Sequence, residues 1–416
     1  MKGIQRAALL LILMIAGEAV FILPFVISRI FRPTFLEVFD LTNLQLGSAF
    51  SVYGIVAMFC YFLGGPIADK YSARMLLSVS LVLTGISGFV MAGIPNLYTL
   101  TLLYGFWGLS TILLFWAPCM KAVRLYGGAN TLGRSYGSVD AGRGLFAALL
   151  GTLSVLLFDS LLEVDITIAT TADKKVILSQ LITIYSLVII LTGVVIFFFF
   201  PKNETAGIGS TKLSLRGIEN VIKRKSIWLQ AIILLCGYVG YKCTDDFSLY
   251  ARDAFAFDDI QSAHIGTVSF WMRPFATILA GILGDKLGHS KITAISFLVL
   301  IAGSIVISSG VLAPNMLVFI LMNIAVMSLG IYGLRGLYYA LFQEAKIPLT
   351  ITGSAVGFIS VVGYTPDIFM GPLMGVILDN NPGELGHQYL FGVLALFGII
   401  GLMASISFRK INAEIG

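Results

Sequence analysis

Apolar residues run through this chain in long stretches, and polar residues gather in short punctuation between them. The first stretch, AALLLILMIAGEAVFILPFVIS, follows Lys2 and Arg6 and extends for 22 residues. That exceeds the roughly 7–15 residues of a secretory signal core, and no small-residue cleavage site follows. About 20 apolar residues cross a bilayer as a helix. A window of that size predicts twelve spanning helices, at 7–30, 45–66, 76–94, 98–120, 135–158, 178–200, 227–250, 264–284, 292–312, 317–341, 349–378 and 388–408. KCTDD interrupts the seventh, and Pro366 and Pro372 fall inside the eleventh. The expected class is an all-α membrane protein.

Composition excludes the alternative of a soluble domain with a large core. The 416 residues are 57% hydrophobic and 12% charged, against about 25% charged in soluble domains. Such a chain cannot cover its surface with polar groups, so lipid is its expected solvent. Cys60, Cys119, Cys236 and Cys243 lie in or beside apolar runs and form no CxxC pair, which reads as packing. His264, His289 and His387 are scattered. No cofactor and no metal are expected.

Charge sets the orientation. Of the 27 Lys and Arg residues, eighteen fall in segments on the side of the N-terminus and five in segments on the other side. Positive residues stay cytoplasmic, so both termini are expected inside, and the net charge of +5 records topology rather than a nucleic-acid partner. The longest polar segment, 201–226, is expected as a cytoplasmic linker between six-helix bundles at 1–200 and 227–416. Within it, IENVIKRK reads either as a solvated stretch or as a short amphipathic helix on anionic lipid.

The halves repeat. GGPIADKYSARM at 64–75 and AGILGDKLGHSK at 280–291 share a Gly, three residues and Asp-Lys. Gly65 and Gly281 lie 216 residues apart, as do Asp69 and Asp285, and Lys70 and Lys286. Ser138 of SYGS and Ser354 of ITGS keep the same offset. Two matches in one register indicate a duplicated six-helix unit, an arrangement found in secondary transporters.

With these motifs the chain resembles the major facilitator superfamily over its full length. The family signature between helices 2 and 3 is met by Gly65, Asp69, Lys70 and Arg74, with Ser72 where Gly is usual. The second copy, with Gly281, Asp285, Lys286, Gly288 and Lys291, fits better. The resemblance implies that these turns gate the inner face. Asp69 is expected to face Arg124 or the start of helix 11, and Asp285 the equivalent place by helix 5 or its preceding loop.

Charges within spans are costly, about 2.5–3.5 kcal/mol each at mid-bilayer on insertion scales, so they should face protein or water. They are Glu18, Asp140, Arg143, Lys242, Asp245, Asp246, Arg273, Arg335 and Asp367. None falls in predicted helices 3, 6, 9 or 12, which the family turns toward lipid. Asp140 and Arg143, three apart, share a helix face and can pair. Arg273 and Arg335 have no acid nearby in sequence and are the favoured anion contacts, since a guanidinium forks onto carboxylate or phosphate. Lys242 and Arg143 are further candidates for the solute. Glu18, with no local cation, leads the proton-coupling candidates, followed by Asp140, Asp245, Asp246 and Asp367. Tyr53, Trp116, Trp271, Tyr332, Tyr338 and Tyr364 are candidate lining residues, with plain packing as the other reading.

FWAPCMKAVR and the GR and RG pairs after it look partly like organophosphate–phosphate antiporters and nitrate transporters. Helix 2 lacks the nitrate group's Arg, and helix 1 offers only Arg29 near its outer end. The drug-exporter signature is absent from helix 5. The expectation is a secondary transporter, not an enzyme, for a small anionic organic solute. It would work as a monomer in a bacterial inner membrane, by rocker-switch alternation with a proton or counter-anion. The alternatives are an exporter of drugs or other non-anionic solutes, and a transporter-like receptor.

Overall fold

The computed structural model describes residues 3–127, 132–201, 222–345, 347 and 352–413. Twelve helices are long and apolar enough to cross a membrane. Spans 1 to 6 are Gln5–Ile30, Asn43–Lys70, Ala73–Ala92, Leu97–Val123, Gly137–Leu161 and Thr171–Phe199. Spans 7 to 12 are Lys225–Phe255, Asp259–Leu287, His289–Ser308, Leu317–Leu337, Ala355–Asn380 and Glu384–Asn412. Twelve crossings leave residues 3 and 413 on one face, called proximal here; the other face is distal. Residues 202–221, the bulk of the expected linker and half of IENVIKRK, lie outside the described residues.

Hydropathy placed the spans, and polar chemistry moved their ends. Spans 2, 6 and 8 start earlier than the apolar windows because each opens with a capping box: Thr42 with Gln45, Thr170 with Asp173, and Asp258 with Gln261. In each pair the side chains satisfy backbone donors reciprocally, which holds a polar first turn in helical form. Span 12 begins at Glu384 and so takes in His387. A short helix at Arg32–Val38, unforeseen in the hydropathy pattern, lies at the distal face between spans 1 and 2.

Four spans are irregular near their middles. Span 1 widens into a π turn at Ile22–Val26 around Pro24, and span 4 does so at Leu109–Trp116. Span 7 tightens to a 3-10 turn at Thr244–Asp246. Span 11 breaks between Gly363 and Pro366, where the proline has no N–H to continue the ladder.

The fold is two pseudo-symmetric six-helix bundles. Within the first, spans 3 and 6 touch where Gly85 and Gly88 meet Ser186. Within the second, spans 9 and 12 touch where Gly401 meets Phe297. These four spans turn large apolar side chains outward, among them Ile86, Phe198, Leu298 and Met403. Spans 2 with 11, and 5 with 8, join the bundles. At the distal end Gly47 and Gly371 bring their backbones together, so a Cβ on either would strike the other; Gly375 meets Leu44 in the same way. On the proximal half of the same four spans, a Cβ at Gly65, Gly137, Gly281 or Gly357 would meet nothing within 4 Å. The bundles are closed together distally and apart proximally.

Candidate functional site

Between the middles of spans 1 and 8, five ionisable side chains from both bundles converge. Glu18 comes from span 1, Asp140 and Arg143 from span 5, Arg273 from span 8 and Arg335 from span 10. Arg273 crosses between bundles, with Nη1 3.3 Å from Glu18 Oε2 and Nη2 3.0 Å from Asp140 Oδ1. Gly144 makes room for it, since a Cβ there would lie 2.8 Å from Arg273 Cγ. Arg143 lies 3.5 Å from Glu18 and 3.7 Å from Asp140, and donates from Nε to the Gly17 carbonyl at 2.9 Å. Its guanidinium also lies 5.3 Å from the Trp116 ring. The spacing of Asp140 and Arg143 does place them together, yet the shorter bond from Asp140 goes to Arg273.

Two carboxylates thus face three arginines, and Arg335 is the cation left over. It has no carboxylate within 4.0 Å among the described residues. Its guanidinium carbon stacks 4.1 Å from the Tyr241 ring centre, and its buried Nη1 has no hydrogen-bond partner. Arg273 Nε is likewise without one. A buried donor left unmade costs about 1–3 kcal/mol, more when charged. Such donors await an acceptor.

Tyrosines line the space beside Arg335. Tyr238 and Tyr241 on span 7 stand 5.4 Å apart between ring centres. Tyr364 lies edge-on to Tyr238 at 4.9 Å and stacks across the bundles on Tyr61 at 5.9 Å. Tyr339 and Tyr364 share a hydroxyl contact of 3.2 Å. Tyr364 was expected here. Tyr61, Tyr238, Tyr241 and Tyr339 were not, because an aromatic in an apolar run has no signature of its own. The one available signal was the i, i+3 pair in YVGYK, a turn ahead of Lys242.

A second network lies toward the distal face. Arg29, read from sequence near the outer end of helix 1, is a buried part of span 1 and forms an ion pair with Asp245 of span 7. Its Nη1 donates to Tyr241 at 3.2 Å. Lys242 bridges Asp245 at 3.4 Å and Asp367 at 3.5 Å, and Tyr238 donates to Asp367 at 3.0 Å. The cations and acids here are equal in number, so this network neutralises itself.

Several candidates stand elsewhere. Asp246 points away from the centre and meets His387, 2.7 Å away in span 12. The same histidine puts an ionisable group inside span 12, where none was expected. Tyr53 is buried within the first bundle, sharing a 2.8 Å hydrogen bond with Thr111. Tyr332 is fully buried behind Tyr241, and Tyr338 is buried against Gly237. Trp271 joins the bundles through Nε1, donating to Thr152 at 3.0 Å.

The repeated proximal turns are exposed. Asp69, Lys70 and Lys286 face solvent, and among the described residues Asp285 pairs only within its own hairpin, with His289 at 3.2 Å. Arg74 stacks 4.6 Å from the Phe197 ring. The Arg124 side chain and the start of span 11 lie outside the described residues. The loop before helix 5 and the side chains at the start of that helix, where Asp285 was expected to meet the other bundle, also lie largely outside the described residues. Among the described residues no cluster of His, Cys, Asp and Glu is arranged to hold a metal ion.

The family model described as Major Facilitator Superfamily matches residues 8–369. Inner membrane protein YihN of Escherichia coli (strain K12) is 26% identical, over 98% of this chain and 96% of that protein. Inner membrane protein YqcE of the same organism is also 26% identical, over 89% of this chain and 87% of that one. Among solved structures, a bacterial homologue of the human lysosomal transporter Spinster, inward-facing and unoccupied, superimposes with a TM-score of 0.74 at 15% identity. That match covers 99% of this chain and 98% of the other. The nucleoside transporter NupG matches with a TM-score of 0.70 at 16% identity, over 97% of this chain and 99% of its own. At such identities the structural likeness speaks for the fold.

Proposed function

The chain belongs to the major facilitator superfamily, and from that premise we propose that it is a secondary transporter of a small organic anion. It is a multi-pass inner-membrane protein, and the positive-inside bias puts the proximal face in the cytoplasm. The conformation is then inward-open. The bundles, taken as 1–200 and 227–416 about the linker 201–226, rock to close the proximal face and open the distal one.

The observation that carries the anion reading is the surplus guanidinium of Arg335. It sits in the last turn of span 10 and reaches Tyr241 near the middle of span 7 with an unmet donor, where an isolated charge is costly. A carboxylate or phosphate on the solute would satisfy it by a forked pair, with the tyrosine hydroxyls positioned to bond to the rest of the molecule. The same anion would compete with Glu18 and Asp140 for Arg273, loosening the tie between bundles. Glu18 and Asp140 would in turn accept a proton, or wait for an exchanging anion, once Arg273 has left them. Asp69, Lys70, Arg74 and Arg124, with Gly281, Asp285 and Lys286, would then meet across the closed proximal face. The protein would do this as a monomer.

A thermal-shift screen of the purified protein against hydroxylated carboxylates, organophosphates, neutral sugars and lipophilic cations tests the reading. Anions should stabilise the wild type, and Arg335→Gln should abolish that shift while leaving the unliganded melting temperature nearly unchanged. Stabilisation by lipophilic cations alone, or an anion shift undiminished in Arg335→Gln, would overturn it.

A further inference from the structure

Behind span 7, away from the cleft, lies a group of ionisable side chains that the transport reading does not use. The 3-10 turn at Thr244–Asp246 sends two adjacent carboxylates in opposite directions. Asp245 meets Arg29 and Lys242; Asp246 meets His387. Asp246 and His387 are both fully buried. His387 Nδ1 lies 2.7 Å from Asp246 Oδ2, and its Nε2 lies 3.3 Å from Asp253 Oδ2. Asp253 is partly exposed and lines a distal groove of about 480 Å³, together with Glu37, Asp40, Arg252 and Asp379.

Elementary proton counting makes this arrangement informative. Each nitrogen–oxygen contact needs one proton between its atoms, so two contacts need two protons among the ring and the two acids. The other groups facing the ring do not change that count. From span 7 these are Tyr250, 5.4 Å away between ring centres, and Arg252, whose Nε lies 3.4 Å from Asp253 Oδ1. From the first turn of span 12 there is Glu384, which accepts from Gln388 at 3.0 Å. With one proton fewer, one ring nitrogen must set its lone pair against a carboxylate oxygen. The contact to Asp253 is the longer of the two and opens onto water, so it is the one to part. Asp246 Oδ1, meanwhile, is a buried oxygen without a hydrogen-bond partner.

We propose that His387, held between Asp246 and Asp253, is a proton-binding site filled from the distal groove, and that its proton fastens the start of span 12 to the distal end of span 7. A hydronium ion in the groove gives its proton to the Asp253 carboxylate and leaves as water; Asp253 passes the proton to Nε2. Release runs the same steps backwards. With the proton present the imidazolium bridges both acids. Without it the neutral ring stays on Asp246 through Nδ1–H, and Asp253 is freed at the rim of the distal seal.

The test needs no knowledge of the solute. The chain has three histidines, so labelling with ¹⁵N-histidine in lipid nanodiscs gives three resolvable rings, and the one missing from His387→Gln is His387. His264 is exposed and serves as the internal control. The His387 ring should pass from doubly to singly protonated as pH rises. Asp253→Asn keeps an acceptor oxygen but loses the charge, and should weaken proton binding by about tenfold, the low end of what one facing charge does. The His264 signal should be the same in both proteins. Thermal stability should fall over the pH range of the His387 titration in the wild type and stay flat there in His387→Gln. A ring that keeps both protons from pH 5 to 10 would overturn the proposal by making the group a fixed ion pair. Titration unaltered by Asp253→Asn would overturn the route from the groove.

Discussion

Spans 2, 5, 8 and 11 carry glycines toward both of their ends, and what those glycines touch differs completely. Distally, Gly47, Gly371 and Gly375 bring the backbones of spans 2 and 11 into contact. Proximally, Gly65, Gly137, Gly281 and Gly357 face open space. A glycine in a helix interior costs about 0.5–1 kcal/mol relative to alanine, and packing explains that cost only at the distal end. The proximal glycines make physical sense as contact residues of another arrangement, in which the bundles close on that side. We infer that the two ends fit two conformations of one molecule, with the charge cluster as the pivot between them.

That contrast can be broken in four places. The largest effect should come from the pivot, where Arg273→Gln strips Glu18 and Asp140 of their cross-bundle partner. Loss of one member of a buried pair costs about 3–5 kcal/mol, and chemical denaturation or thermal melting should register it. Next, Gly371→Val forces a side chain into the Gly47 backbone. Spin labels on the distal ends of spans 2 and 11 should report separation, with the sealed population reduced at least tenfold, about 1.4 kcal/mol. Third, the double substitution Gly65→Val and Gly281→Val meets empty space here, so melting should move by no more than about 0.5 kcal/mol. The same labels moved to the proximal ends should fail to approach one another when an anion is added. If this pair destabilises as much as Gly371→Val, the two ends are not what we take them to be.

The last effect, read by pH, concerns Glu37 at the distal rim. Burial alone would raise its pKa, but hydrogen bonds from Lys174 and Thr171 outweigh that and hold the carboxyl below its usual 4.5. A depressed folded-state value means the contribution is complete above the ordinary carboxylate range and disappears as pH falls through the lowered one. Melting below about pH 4.5 should show a loss of about 0.2–1 kcal/mol, the range of partly exposed pairs, and Glu37→Gln should not show it.

The spans and the duplicated turn were legible in the sequence because a bilayer imposes a length and an apolarity that hydropathy detects directly. The charged cluster was legible as a set of residues, since each charge is expensive where it stands. Its wiring was not. Arg273 lies more than a hundred positions from Asp140 and farther still from Glu18, and no periodicity along one helix says which helix it will face. The partner of Arg29 was hidden for a related reason: near the end of a run it reads as a boundary residue, and only span 7 brings Asp245 to it. His387 escaped because an apolar window stops short of a polar first turn. The capping boxes at Thr42, Thr170 and Asp258 could have corrected three of the other helix starts, for their spacing is visible in the chain.

Asp379 of span 11 accepts from the backbone N–H groups of Asn43 and Leu44, at 3.0 and 2.8 Å, and so caps the start of span 2 from the opposite bundle. A helix end is therefore finished by a residue that must leave whenever the distal face parts. Capping by a carboxylate contributes about 1 kcal/mol, so the resting molecule should lean toward the shape seen here. Its second helix should fray at the tip each time it turns outward, giving up amide protons to solvent once per cycle.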